Sequence, residues 1–256
     1  MRTELKNRLI KLAEQHEVPA FIQNDPIQIP HRYIKKDDIE IAALITSWIA
    51  TGNRKAIIGS ADKLDRKLFR KTPHKYIMGE EWRQYKDVRN SFYRYYSCHD
   101  FYSLCHTLYH IYLENDSLEN YLYTHYSGLS PLQCLQSTFG HINGMPDITS
   151  SSEAKKLCMF LRWMIRNNSW VDLGIWQKFS PGSLVIPLDT HVHRIATDLG
   201  ITNKRKCIQT AHSITDALRE VWPEDPVKGD FALFGYGVNE SIADRVFSNA
   251  KNINDL

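Results

Sequence analysis

The sequence predicts an all-α fold, and three observations carry that expectation. Apolar residues recur at three- and four-residue spacing along most of the 256-residue chain. No run of alternating β-branched residues stands out as a strand. The segment "DIEIAALITSWIATGNRKAIIGSADKL" opens on acidic residues and continues almost wholly apolar to Ala50, which marks residues 39–50 as a helix buried on every side. Thr51-Gly52-Asn53 breaks it before a second helix.

The remaining elements follow in order. "MRTELKNRLIKLAEQHEV" alternates charge with Leu and Ile at helical spacing and reads as an amphipathic helix rather than a signal peptide. In "DKLDRKLFRKTPHK", Lys63, Lys67, Arg70 and Lys71 follow one helical stripe. A basic patch and an ordinary solvated face both fit that spacing. Residues 76–126 hold eleven of the chain's thirteen tyrosines, interleaved with Arg83, Lys86, Arg89 and Arg94. Such rings either stack on single-stranded bases or pack in a core with their hydroxyls at its rim. Glycine, proline and serine cluster in "SGLSPLQCLQSTFGHINGMPDITSSSEAKK", which predicts a loop. Beyond it, Ser151, Ser152 and Glu153 open a helix whose residues Leu157, Phe160, Leu161 and Met164 form one apolar face. Two further helices are expected over about 207–221 and 226–235, the second capped by glycine at "FGYGV".

Composition bounds the function. With 43% hydrophobic and 24% charged residues and a mean hydropathy of −0.41, the chain has a globular, soluble profile. No apolar run reaches the roughly 18–20 residues of a membrane span. Five scattered cysteines without a C-x-x-C pair point to a reducing cytoplasm and away from cysteine-ligated zinc or an iron–sulfur cluster. A formal charge of +3 permits nucleic-acid binding without requiring it.

The chemistry concentrates in "IPLDTHVHRIATDLG". Asp189, His191 and His193 read as D-x-H-x-H, and on a strand the two histidines would share a face and could chelate a metal. However, Val192, Ile195, Ala196 and Leu199 are spaced i, i+3, i+4, i+7, with Gly200 where a helix would end. On that helix the histidines point apart, so no metal site is expected. Asp189 falls at the N-cap, where its carboxylate accepts backbone N–H bonds. Asp172 and Asp230 read as further caps.

This stretch resembles the segment carrying the catalytic aspartate of the helix-hairpin-helix DNA glycosylase superfamily, which includes endonuclease III and the 8-oxoguanine glycosylases. Asp189, Thr190, His191 and Arg194 match that pattern residue by residue. The wider combination "KKLCMFLRWMIRNN…VDLGIW…IPLDTHVHRIATDLGIT…DPVKGDFALFGYGV" is similar to an uncharacterised bacterial family, typical of Bacteroidetes, distantly related to these enzymes. The resemblance is strong over about 152–239 and elsewhere extends only to helical character. It implies one glycosylase-like unit over residues 1–256 with two helical lobes: a helical bundle at 37–150, and a degenerate hairpin with the catalytic aspartate at 151–256.

The implied activity is excision of a damaged base from double-stranded DNA by a cytoplasmic monomer without a cofactor. The alternative is a non-catalytic DNA-binding or scaffold protein that keeps the fold. Bifunctional members carry a catalytic lysine in a Leu-Pro-Gly-Val-Gly-like turn eighteen residues before the aspartate, and here that position is Val171. Lys155 is the expected substitute, at a separation similar to that of the archaeal 8-oxoguanine glycosylases, with Lys156 beside it and Lys178 near "SPGS" as a phosphate contact. Lys155, Met159, Arg162 and Arg166 share a helical stripe. Arg162 and Arg166, with Lys178, His191 and Arg194, are the expected DNA contacts, and Trp163 the expected wall of the base pocket.

Overall fold

The computed structural model describes residues 1–149 and 152–237. Among them the chain is mostly helical with one two-stranded sheet. In chain order the elements are α1 (Thr3–His16), α2 (Lys36–Trp48), α3 (Arg54–Lys63), α4 (Pro73–Met78), β1 (Ser91–Tyr93), β2 (Tyr96–Ser97), α5 (Cys98–Glu114) and α6 (Leu118–His125). Then come α7 (Pro131–Phe139), α8 (Lys155–Ile165), α9 (Thr190–Asp198) and α10 (Ile208–Arg219). Residues 229–237 are helical as well. No helix among the described residues is long and apolar enough to cross a membrane.

The expected buried helix is α2, in which every residue from Ile39 to Trp48 is buried. It packs against α8 and α4 and forms the centre of the core. Its one internal carboxylate, Glu40, is 0% exposed. Glu40 accepts hydrogen bonds from Tyr112 Oη (2.8 Å), Leu118 N (2.8 Å), Trp176 Nε1 (2.6 Å) and Glu119 N (3.3 Å). One side chain therefore ties α2 to α5, α6 and the segment leading to α9. Burial raises the Glu40 carboxyl, and these donors offset only part of that shift.

Three expectations change. The segment "SFYRYYS" folds as an antiparallel hairpin, pairing Ser91 with Ser97 and Tyr93 with Tyr96. Strands of three and two residues are too short to show period-two alternation in sequence. The hairpin is held by ring packing: Phe92 stacks on Phe101 at 4.1 Å and Tyr96 on Trp48 at 4.8 Å. Secondly, the predicted loop after Ser127 contains α7, started by a capping box between Ser130 and Gln133 with proline in its first turn. Thirdly, the helix that starts at residue 229 runs on through Gly235 to residue 237 rather than ending at Gly235, and where it ends lies outside the described residues. A Cβ on Gly235 would stand 2.1 Å from the His16 ring, so this glycine admits a neighbouring side chain.

The tyrosines mostly pack. Tyr76, Tyr96 and Tyr112 are buried, and the hydroxyls of Tyr109 and Tyr93 reach Glu80 and the Thr51 carbonyl. Between α8 and α9 the only helical element is a three-residue 3-10 turn, Pro181–Ser183. That segment starts with a sharp turn at Gly174 (φ +59°), where a Cβ would lie 2.4 Å from Asn167 Cα. The degenerate hairpin expected there is thus an extended strap, and no second helix precedes Asp189.

Candidate active site

Residues Leu184 to Leu188 run extended and buried, and Ile186 N donates to Thr215 Oγ1 on α10 at 3.0 Å. Pro187 keeps the chain out of the helical region until Asp189, whose backbone is still extended (φ −113°, ψ −177°). Asp189 then caps α9: its Oδ1 accepts from Val192 N at 2.9 Å. Gly200 (φ +68°) closes the helix.

The second oxygen, Oδ2, lies 3.0 Å from Lys155 Nζ. Helix α8 begins at Lys155, after Ala154 in the left-handed region at φ +52°, so Lys155 and Lys156 are its first two residues. The opening therefore falls later than the serines that sequence assigns to it. A helix N-terminus carries partial positive charge and ordinarily favours acids, so two lysines there oppose the local electrostatics. Asp189 answers the first of them. Burial alone would raise the Asp189 carboxyl, but Lys155, the Val192 N–H and His191 outweigh it and hold it below the ordinary aspartate value.

Lys156 has a different environment. Its Nζ donates to the Tyr96 hydroxyl and, at 3.0 Å, to the Gly144 carbonyl, and it lies 4.6 Å from the Tyr96 ring centroid. Burial, reinforced by the charge of Lys155, pushes its ammonium down to about 8.

Lys155 and Asp189, each about one-third exposed (36% and 35%), sit where two hollows meet. The inner one, about 250 Å³, has an aromatic wall of Phe21, Phe231 and Phe234. Its polar lining includes Asp25, Arg54, Arg162 and Asp230. The outer one, about 410 Å³, is a groove carrying Lys156 and Lys206. Ala50 and Gly52, in the break after α2, border both. Asp25 Oδ1 caps a short turn by accepting from Ile27 N (3.1 Å), and its Oδ2 lies 3.9 Å from Arg54 Nε. Burial raises the carboxyls of Asp25 and Asp230, with Arg162 opposing in both cases.

The stripe predicted on α8 is real in part, since Lys155, Met159 and Arg162 all line the inner cavity. The roles assigned to its arginines are corrected. Arg162 is buried against Asp172 (Nε, 3.1 Å) and Asp230, and Arg166 is 1% exposed among Asp172, Asp225 and Glu17. Both guanidinia are held in these buried pairs rather than presented on a solvated face. Asp172 and Asp230 are correspondingly ion-pair partners rather than caps. Trp163 is 0% exposed and does not line this cavity, whose rings come from residues near 21 and 231, distant in sequence.

Lys178 is exposed over the Tyr123 ring (5.0 Å), and its backbone N donates to Glu119, so its contacts are with α6 rather than the cavity. Arg194 pairs with Asp198 along the outer face of α9 (3.0 Å). His191 is exposed and packs where a Cβ on Gly237 would be 2.3 Å from its Nε2, whereas His193 Nε2 bonds the Lys204 carbonyl at 2.7 Å. The two imidazoles diverge as the helical spacing requires. Sequence reasoning missed Phe21, Asp25, Arg54, Phe231 and Phe234, because no local pattern links "FIQNDP" to the end of the chain.

A mostly helical chain that presents an amine and a carboxylate at the mouth of an aromatic-walled cavity has the parts for nucleophilic or cation-stabilising chemistry on a small ring system. Residues 25–239 match the family described as Protein of unknown function (DUF2400), and the chain belongs to that family. No curated protein and no solved structure matches the chain.

Proposed function

We propose that this protein is a DNA base-excision glycosylase of helix-hairpin-helix glycosylase ancestry, with Asp189 and Lys155 at its reacting centre. The observation that carries the reading is the 3.0 Å approach of Lys155 Nζ to Asp189 Oδ2 at the junction of an aromatic-walled hollow and a more open groove. A cavity of about 250 Å³ suits one flipped base, being smaller than the roughly 300–1,000 Å³ of drug-sized pockets. The phenyl rings supply its apolar walls, and Asp25 Oδ2 accepts from N–H groups on the base edge. The sugar then lies at the cavity mouth, beside the amine and the carboxylate.

Breaking the glycosidic bond builds positive charge on the sugar, which an ionised Asp189 stabilises. In the lyase variant a neutral lysine amine bonds to C1′ while the glycosidic electron pair leaves with the base, which takes a proton from water. Opening of the sugar ring leaves an iminium. Lys155 has the geometry for this attack, and Lys156, one residue on, has the surroundings that favour a neutral amine.

The test is a panel of duplexes bearing single base lesions, assayed for base release and for borohydride-trapped adduct. Asp189→Asn should slow release by about 10²–10³-fold, the scale of losing one aligned electrostatic group. A trapped adduct lost in Lys155→Ala identifies that amine; loss in Lys156→Ala alone moves the role by one residue. Duplex binding without turnover on any lesion, unaltered by Asp189→Asn, would leave a non-catalytic DNA-binding protein.

A further inference from the structure

A further hollow among the described residues, about 480 Å³, lies between the end of α3 with the π-helical turn Leu64–Leu68 and the β1–β2 hairpin. Lys63, Lys67 and Arg94 project at it over Phe92 and Tyr93, with Ser60 at its edge. No carboxylate lines it, and none lies within ion-pair distance of these three cations among the described residues. The acids of the same segment are engaged elsewhere: Asp62 pairs with Arg32 (2.7 Å) and Arg66 (3.0 Å), and Asp65 with Arg32 (2.6 Å). Charge has been sorted across the helix, leaving one side purely cationic.

Arg94 sits in the hairpin turn in the left-handed region at φ +53°, a conformation that glycine or asparagine would adopt at lower cost. Its guanidinium comes so close to Gly52 that a Cβ there would lie 2.4 Å from Nη1. Gly52 borders both hollows at the Lys155–Asp189 pair. Tyr93 Oη also donates to the Thr51 carbonyl at 3.0 Å. The basic groove thus adjoins the candidate active site across residues 51 and 52.

We propose that the groove of Lys63, Lys67 and Arg94 binds the sugar–phosphate backbone of a DNA strand and leads it to the Lys155–Asp189 centre. This inference rests on the glycosylase reading and replaces the phosphate contacts expected of Arg162 and Arg166. Three unpaired cations beside half-buried rings form a polyanion surface, in which charge holds phosphates and the rings meet exposed sugar or base. Of the stripe legible in sequence, only Lys63 and Lys67 line the groove; Arg70 turns to Glu81 (3.8 Å).

The experiment measures affinity for a duplex carrying an abasic-site analogue, by fluorescence anisotropy across a salt series, together with turnover at saturating enzyme. The variant Lys63→Gln/Lys67→Gln/Arg94→Gln is compared with Lys11→Gln/Lys35→Gln/Lys75→Gln, which removes the same charge from exposed lysines elsewhere. The groove variant should lose about tenfold or more in affinity at moderate salt, and the slope of log K against log salt should fall by about 2–3. Saturated turnover should persist. An unchanged slope, or an equal loss in the control, overturns the groove; if Asp189→Asn still abolishes turnover, the glycosylase reading survives that result. Wild-type protein that neither binds nor cleaves any duplex overturns both.

Discussion

Replacing Arg166 with methionine separates the two roles this residue could have had. In the folded protein its guanidinium is held by Asp225 (Nε–Oδ1 2.8 Å, Nη2–Oδ2 2.8 Å), by Asp172, and by Glu17 Oε1, 2.8 Å from Nη2 as an ion pair without hydrogen-bond alignment. Asp172 and Glu17 are themselves buried, so Arg166→Met leaves two carboxylates short of their main cation. Removing one partner of a buried charge cluster costs about 3–5 kcal/mol. Each stranded acid keeps a second cation, Arg162 at 3.1 Å from Asp172 and Lys228 at 3.7 Å from Glu17, which places the loss near the lower end, about 3 kcal/mol. Urea unfolding followed by tryptophan fluorescence reads this as a lower midpoint at unchanged slope. A midpoint equal to wild type, with duplex affinity lost, would refute the buried-network account and restore Arg166 as a phosphate contact.

Glu40→Gln is isosteric, but it sets an NH₂ against a site whose four contacts are donors, and should cost about 2–3 kcal/mol in the same unfolding assay; a neutral result would mean the carboxyl is already protonated in the fold. Gly174→Ala meets both a positive φ and the Asn167 backbone, and should lower the midpoint by about 1–3 kcal/mol equivalent, more than the same change at the open Gly128. Because Asp189 is held below its ordinary value, its ionised form and the stability from its pairing persist at neutral pH and are lost only as pH falls through that lowered value; base release should therefore keep its carboxylate-dependent rate to a lower pH than an ordinary aspartate would allow. If Lys156 is the trapped amine, adduct formation should rise with pH through about 8 and level above it, and a rate that keeps climbing well beyond that point would exclude Lys156.

Local order was legible wherever it depends on near neighbours. The apolar run of α2, the N-cap at Asp189, the period that separates His191 from His193, and the stripe placing Lys155 and Met159 on one face all follow from spacing along a helix. Which charges meet water was not legible. Arg162 and Arg166 have the spacing of a solvated face, and only the nearby Asp172 together with Asp225, Asp230 and Glu17 from distant segments makes burial tolerable. The cavity walls come from Phe21 and residues 231–234, and the hairpin that carries Arg94 is too short for a periodic signature. By itself, the sequence determined the helical character of the fold and brought Asp189 to the start of one helix. The tertiary structure decided that Lys155 faces it and that Trp163 does not, because helix period orients a side chain on its own axis while only packing chooses what stands opposite.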